Sequence, residues 1–263
     1  MLAHQTLALL TLTWCVTTSA PCAETKPKYG PEATPLSRSH EFFQRRTAPD
    51  FWALIPYYMP QQTGGSCSVA AVAMVVNAAR YNTPLGSNDK LVSEAELLNR
   101  VKNPVWKKGL GLTGHGITLD QLGPLLEESL KSFGITPVEI ETVHVDNLSG
   151  DTKTKIHRTL IENERSNRNF IIANFLQGSY TGDAEVGHWA AVGAYDSEKK
   201  RVLIMDPDRE WYEPYWVNEE AFLKGMNTLD KQSSLFRGFI RVTLPELEST
   251  GKSRHSPTPD PST

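Results

Sequence analysis

Helical periodicity in the first two thirds of the chain and apolar runs of strand length after residue 170 predict an α+β fold, helices first and an antiparallel sheet afterwards. Residues 67–80 place Val69, Val72, Ala73, Val76 and Ala79 at helical spacing and are apolar nearly all round, the pattern of a helix buried through the middle of a domain. Ser93 and Thr118 stand three positions before Glu96 and Gln121, which is the spacing of a capping box at a helix start. Four later runs, 170–176, 188–195, 202–206 and 236–244, read as strands.

Taken in order, residues 1–23 contain no Lys, Arg, Asp or Glu, and their apolar core runs from Leu7 to Val16 before the small residues Thr17 to Ala20. This reads as a secretory signal peptide without the usual basic start, cut at Ala20 or Ala23, so export to a periplasm or beyond the cell is expected. At about ten residues the core is too short to span a bilayer. Cys15 and Cys22 fall within or beside the leader, so cleavage after Ala23 leaves Cys67 as a lone thiol. Residues 24–37 read as a linker, 38–245 as one catalytic domain, and 246–263, rich in Ser, Thr, Pro and charge, as a disordered tail. Within the domain, helices are expected over 67–80, from the cap at Ser93 through Val101, from Thr118 through Leu130 with a stop at Gly134, and over 152–164. A further helix, 219–226, interrupts the strands.

Several function classes drop out. A net charge of −3 with no basic tract gives no footprint for nucleic acid. Gly109, Gly111, Gly114 and Gly116 are closely spaced, but neither that spacing nor the missing Lys-Ser/Thr fits a phosphate loop. His115 has no second His or Cys at metal-ligand spacing and reads as a loop histidine, so no metal ligand is assigned. Trp211, Tyr212, Tyr215 and Trp216 read as aromatics packing the rim of a core.

Chemistry concentrates on three residues. Cys67 follows Gln61-Gln62-Thr63-Gly64-Gly65-Ser66 and opens the apolar helix, where unpaired N–H groups favour a thiolate over a thiol. About 120 residues later, His188 opens one strand and Asp206 closes the next, with the polar turn 196–200 between them. Antiparallel pairing brings both to the same end of the sheet. An imidazole that takes the thiol proton, oriented by a carboxylate on its other nitrogen, is triad logic in thiol form. Cys, His and Asp in this order, with a glutamine just upstream to hold an oxyanion, resemble papain-type thiol enzymes, in which a helical part carrying the nucleophile packs on an antiparallel sheet carrying the His and the acid.

Over roughly residues 40 to 243 the chain further resembles the phytochelatin synthases, in their short single-domain prokaryotic form. Phe51-Trp52-Ala53-Leu54-Ile55-Pro56 leads to Gln61 and, six residues on, to Cys67, which singles out Gln61 over Gln62 for the oxyanion role. Gly116-Ile117-Thr118-Leu119 and Gly187-His188 match further motifs. The most specific match is Asp206, Arg209, Tyr212, Pro214, Trp216 and Val217, aligned without a gap. Phe236-Arg237-Gly238-Phe239 resembles a strand whose arginine lies in the family's substrate pocket.

The resemblance implies a catalytic set of Cys67, His188, Asp206 and Gln61, with Arg237, Asn174, Gln177 and Arg209 binding substrate. It also implies a reaction: removal of glycine from glutathione through a γ-glutamylcysteinyl thioester, resolved by water or by a second glutathione. No cofactor is expected for acylation, with cadmium or zinc entering as a metal thiolate substrate or an activator. Expected partners are glutathione and γ-glutamyl peptides, and a second copy in a homodimer, with no stable membrane span. Three departures stand out. Asn174-Phe175-Leu176-Gln177 puts a neutral glutamine where the family has an arginine, removing a bidentate carboxylate clamp. Ser68 replaces a glycine after the cysteine, and the cysteine-rich C-terminal domain of plant members is expected to be missing. Two other readings stay open: a papain-type peptidase acting on α-linked peptides, and an exported thiol or metal-binding protein without catalysis.

Overall fold

The computed structural model describes residues 26–82, 85–111, 115–182 and 185–245. The leader and tail expected from the sequence lie outside these residues, as do Asp183 and Ala184 in the loop before His188. Among the described residues no helix is long and apolar enough to cross a membrane.

The expected α+β order is present. Strand β1 (Ala33–Pro35) and helix α1 (Pro49–Leu54) precede helix α2 (Cys67–Ala79), after which come α3 (Glu94–Arg100), α4 (Pro104–Gly109) and α5 (Leu119–Ser132). Strand β2 (Glu139–His144) and helix α6 (Gly150–Asn163) lead into β3 (Asn169–Leu176), β4 (Gly187–Asp196), β5 (Arg201–Met205) and β6 (Tyr215–Asn218). Helix α7 (Glu219–Met226), the short pair β7 (Leu229–Asp230) and β8 (Leu235–Phe236), and β9 (Gly238–Thr243) complete the order. Seven strands form one antiparallel sheet in the order β1-β6-β5-β4-β3-β9-β2.

Helix α2 explains why one face of the sheet is covered. All thirteen of its residues are buried, and Val69, Val72, Met74 and Val76 pack with α5 and with Ile172, Trp189 and Met205 of the sheet. Each such aliphatic side chain contributes roughly 1.5–3 kcal/mol by leaving water. The opposite face, with Ile171, Ala190 and Ile204, packs on Ile156 and Leu160 of α6 and Phe222 of α7. The capping signals read correctly: Ser93 accepts the Glu96 N–H, Thr118 and Gln121 form a full capping box, and Gly134 ends the α5 region at φ 80°.

Two expectations change. Within the stretch read as a linker, Ala33–Pro35 pairs with Tyr215–Val217, so its second half is an edge of the sheet. The run 236–244 is not one strand. Arg237 breaks it, because its N–H donates to the Thr228 carbonyl and its side chain turns to Leu229 and Thr228, leaving β8 and β9 on either side.

Candidate active site

The β4–β5 hairpin pairs Ala191 with Met205, which sets His188 and Asp206 at one end of the sheet. Helix α2 points its first residue at that end. His188 Nε2 lies 2.6 Å from Asp206 Oδ1, and the same ring interacts with the Cys67 side chain. Cys67 and His188 are buried and Asp206 is fully enclosed. The order sulfur, imidazole, carboxylate is therefore realised in space.

Electrostatics follow from that enclosure. Burial alone would push His188 down, but the Asp206 charge and hydrogen bond, and then the interaction with Cys67, outweigh it and hold the imidazole well above its usual range. Burial likewise opposes the charge on Asp206. His188, the Asp208 N–H at 2.9 Å and the Tyr215 hydroxyl at 2.8 Å overcome it and keep the carboxyl below the usual range. Both shifts favour the charged forms of His188 and Asp206, and this pair stands beside the Cys67 sulfur.

The two groups expected from the sequence to hold an oxyanion can be placed. The Cys67 N–H opens α2, where no carbonyl one turn back inside the helix can accept it. Gln61 is anchored by its own N–H, which donates to the Pro207 carbonyl at 2.8 Å, one residue after Asp206. The Gln61 Oε1 is buried without a partner among the described residues. Gln61, Gln177, His188 and Arg209 line one cleft of about 360 Å³.

A family model described as phytochelatin synthase matches residues 36–239. The chain belongs to the phytochelatin synthase family. It is 23% identical over 215 residues to glutathione gamma-glutamylcysteinyltransferase 1 of Lotus japonicus, covering 79% of this chain and 38% of that protein. The enzyme of the same name from Arabidopsis thaliana is 23% identical over 216 residues, covering 80% of this chain and 40% of its own length. A glutathione gamma-glutamylcysteinyltransferase of Schizosaccharomyces pombe is 35% identical over 60 residues, 23% of this chain and 14% of the yeast protein. The chain spans about two fifths of the plant relatives' length.

The remaining family positions fall into two groups. Arg237 is buried beside the triad strand, donating to the Leu229 carbonyl at 2.8 Å and to Thr228 Oγ1 at 3.2 Å, with its Nε unpartnered. It lines a second cavity of about 770 Å³ with His115, Glu185, Gly187 and Lys231. A side chain at Gly187 would come within 3.0 Å of the guanidinium, so the glycine before His188 makes room for Arg237. Gln177 is buried at the cleft wall with its Nε2 unpartnered, facing no acceptor among the described residues. Asn174 and Arg209 are held by other contacts. Asn174 donates to the His188 carbonyl at 3.1 Å, and Arg209 lies exposed over the Tyr58 ring at 4.4 Å. Among the described residues no group of three or more His, Cys, Asp or Glu is placed to hold a metal.

Sequence reasoning missed the supports of Asp206. Tyr215 faces its Oδ2, and the Tyr58 hydroxyl donates to its backbone carbonyl at 2.6 Å. The one available signal was the position of Tyr215 in the run that follows the acid, but its strand, β6, was not foreseen.

Proposed function

We propose that this member of the family is a glutathione-cleaving acyl-enzyme that hydrolyses more than it transfers. Cys67 sulfur attacks the carbonyl joining cysteine to glycine in glutathione, and the tetrahedral oxygen is held by the Cys67 N–H and the Gln61 amide. His188 then gives its proton to the departing glycine nitrogen as the C–N bond breaks. The γ-glutamylcysteinyl thioester is resolved when His188 takes a proton from an incoming water, giving γ-glutamylcysteine, or from the amine of a second glutathione, giving a phytochelatin. The single observation that carries this reading is the buried His188–Asp206 pair, with the Cys67 side chain interacting with the same ring, in a chain of this family.

Gln177 supports the tilt toward water. A neutral amide at the cleft wall offers one donor group, not the charged fork that would clamp an acceptor's carboxylate. Cadmium or zinc would enter as the glutathione thiolate, a substrate and not a resident cofactor. Mass spectrometry of the protein incubated with glutathione tests the acylation. The expected result is a γ-glutamylcysteinyl adduct on Cys67 that Cys67→Ala lacks, with γ-glutamylcysteine as the main product. An unmodified thiol would remove the enzyme reading, cleavage of α-linked peptides only would move it to a peptidase, and accumulation mainly of γ-glutamylcysteine polymers would reverse the preference for water.

A further inference from the structure

The loop that carries Gln61 has nothing to lean on at its middle. Gly64 and Gly65 are exposed, and a side chain added at either would meet no atom within 4 Å, so packing does not shape the middle of the loop. Hydrogen bonds do. One anchor is the Gln61 N–H on the Pro207 carbonyl. The second is a buried carboxylate on another element: Glu94, in the first turn of α3, whose Oε1 lies 3.1 Å from the Gln62 N–H and 3.1 Å from Ser66 Oγ. Ser66 Oγ in turn accepts the Gln62 N–H at 3.1 Å and the Thr63 N–H at 3.0 Å.

Two features of this network are unusual for ordinary stabilising contacts. Ser66 stands at the N-cap of α2, yet its hydroxyl caps nothing there and turns back into the loop. Glu94 is almost fully enclosed and forms no ion pair among the described residues, so its burial is compensated only by the loop N–H and the Ser66 hydroxyl. The single Ser66 hydroxyl proton has two acceptors in reach, Glu94 Oε1 at 3.1 Å and the Thr63 carbonyl at 3.2 Å, and donation to the charged carboxylate makes the oxygen a better acceptor for both loop amides.

We propose that Glu94, acting through Ser66, is a positioning residue that holds the Gln61 loop in the shape needed to stabilise the oxyanion. The inference rests on the acyl-enzyme reading given above. Glu94 touches neither sulfur nor imidazole, so its effect should fall on transition-state stabilisation and spare the nucleophile.

The test uses the full chain and compares two reactions of Cys67: acylation by glutathione, which builds an oxyanion, and alkylation by iodoacetamide, which does not. Loosening one oxyanion donor should lower the maximal acylation rate in Glu94→Ala and in Ser66→Ala by about 10–100-fold, short of the loss seen when a donor is deleted. The KM for glutathione and the alkylation rate should stay within about twofold, the signature of an interaction made only in the transition state. Because both residues act on one path, Glu94→Ala combined with Ser66→Ala should be little worse than either alone. Glu94→Gln keeps the Oε1 acceptor and should recover most of the rate. Acylation as fast in Glu94→Ala as in the wild type overturns the inference, and so does alkylation falling in parallel with acylation. Should Glu94→Ala not fold, Ser66→Ala with an undiminished acylation rate overturns it equally. A wild-type protein that forms no acyl-enzyme at all overturns the proposed function and this inference with it.

Discussion

Three hydrogen bonds reach the Asp206 carboxylate, from His188, the Asp208 N–H and the Tyr215 hydroxyl, and each has a measurable consequence. Asp206→Asn removes the charge that raises the His188 imidazole. The loss of that charge lowers the histidine's pKa, so the alkaline limb of the acylation rate should move to lower pH, with a rate loss of about 10²–10⁴-fold. A pH–rate profile of Cys67 acylation checks both. Tyr215→Phe leaves the charge but strips one donor from a fully enclosed carboxylate, which should cost about 1.5–3 kcal/mol in urea unfolding. The triad itself was legible because each member sits at an element boundary that local pattern marks. Tyr58 and Glu94 were not, because their contacts are long-range: Tyr58 meets Asp206 and Glu94 meets Gln62 only after the sheet and α3 have folded, whereas Tyr215, nine residues from Asp206, was hidden by its unforeseen short strand.

At the scale of elements, the same distinction sorts what could be foreseen. Helices α2, α3, α5 and α7 announce themselves by apolar repeat or capping residues, which are local. Strands β1, β2 and β6 are three, six and four residues long, and β2 carries the partly exposed pattern Glu139 to His144, so no strong periodicity marks them. The break at Arg237 was equally hidden, since it depends on carbonyls of Thr228 and Leu229. Gly238 explains why β9 begins where it does: a side chain there would sit 1.9 Å from the Val143 carbonyl oxygen of the paired strand. Gly238→Ala must therefore push β2 from β9. The expected outcome is a loss of about 1–3 kcal/mol, the cost of overpacking, with faster amide exchange along residues 139–144 as the local readout.

Across the whole molecule, α1, the end of α6 and β4 meet at a pair of buried carboxyls. Asp50 is pushed well above the carboxylate range by burial and by Glu164 beside it, against the pull of its hydrogen bond from Asn163. Glu164 is pushed up to about 7, again by burial first, although it accepts the Tyr195 N–H at 2.7 Å. Since the folded state holds this proton more tightly than the unfolded chain, the stabilising effect is complete below pH 4.5 and is lost as pH rises toward 7. On the order of 2–3 kcal/mol should disappear across that window. Glu164→Gln keeps an acceptor for Tyr195 and cannot titrate, so unfolding free energies measured from pH 4.5 to 7.5 should lose that slope and exceed the wild type at the upper end.

The edge strand β1 has a consequence for the handling of this protein. Residues 28–35 lace the molecule shut: Gly182 donates to the Lys28 carbonyl, Gly30 to that of Tyr180, and β1 covers the free side of β6. A chain trimmed past Pro35 would bare a row of unsatisfied amides and carbonyls beside Tyr215, inviting pairing between molecules. Protease nicking of that arm would thus be read out twice, as clumping in solution and as a slackened Asp206 at the heart of the molecule.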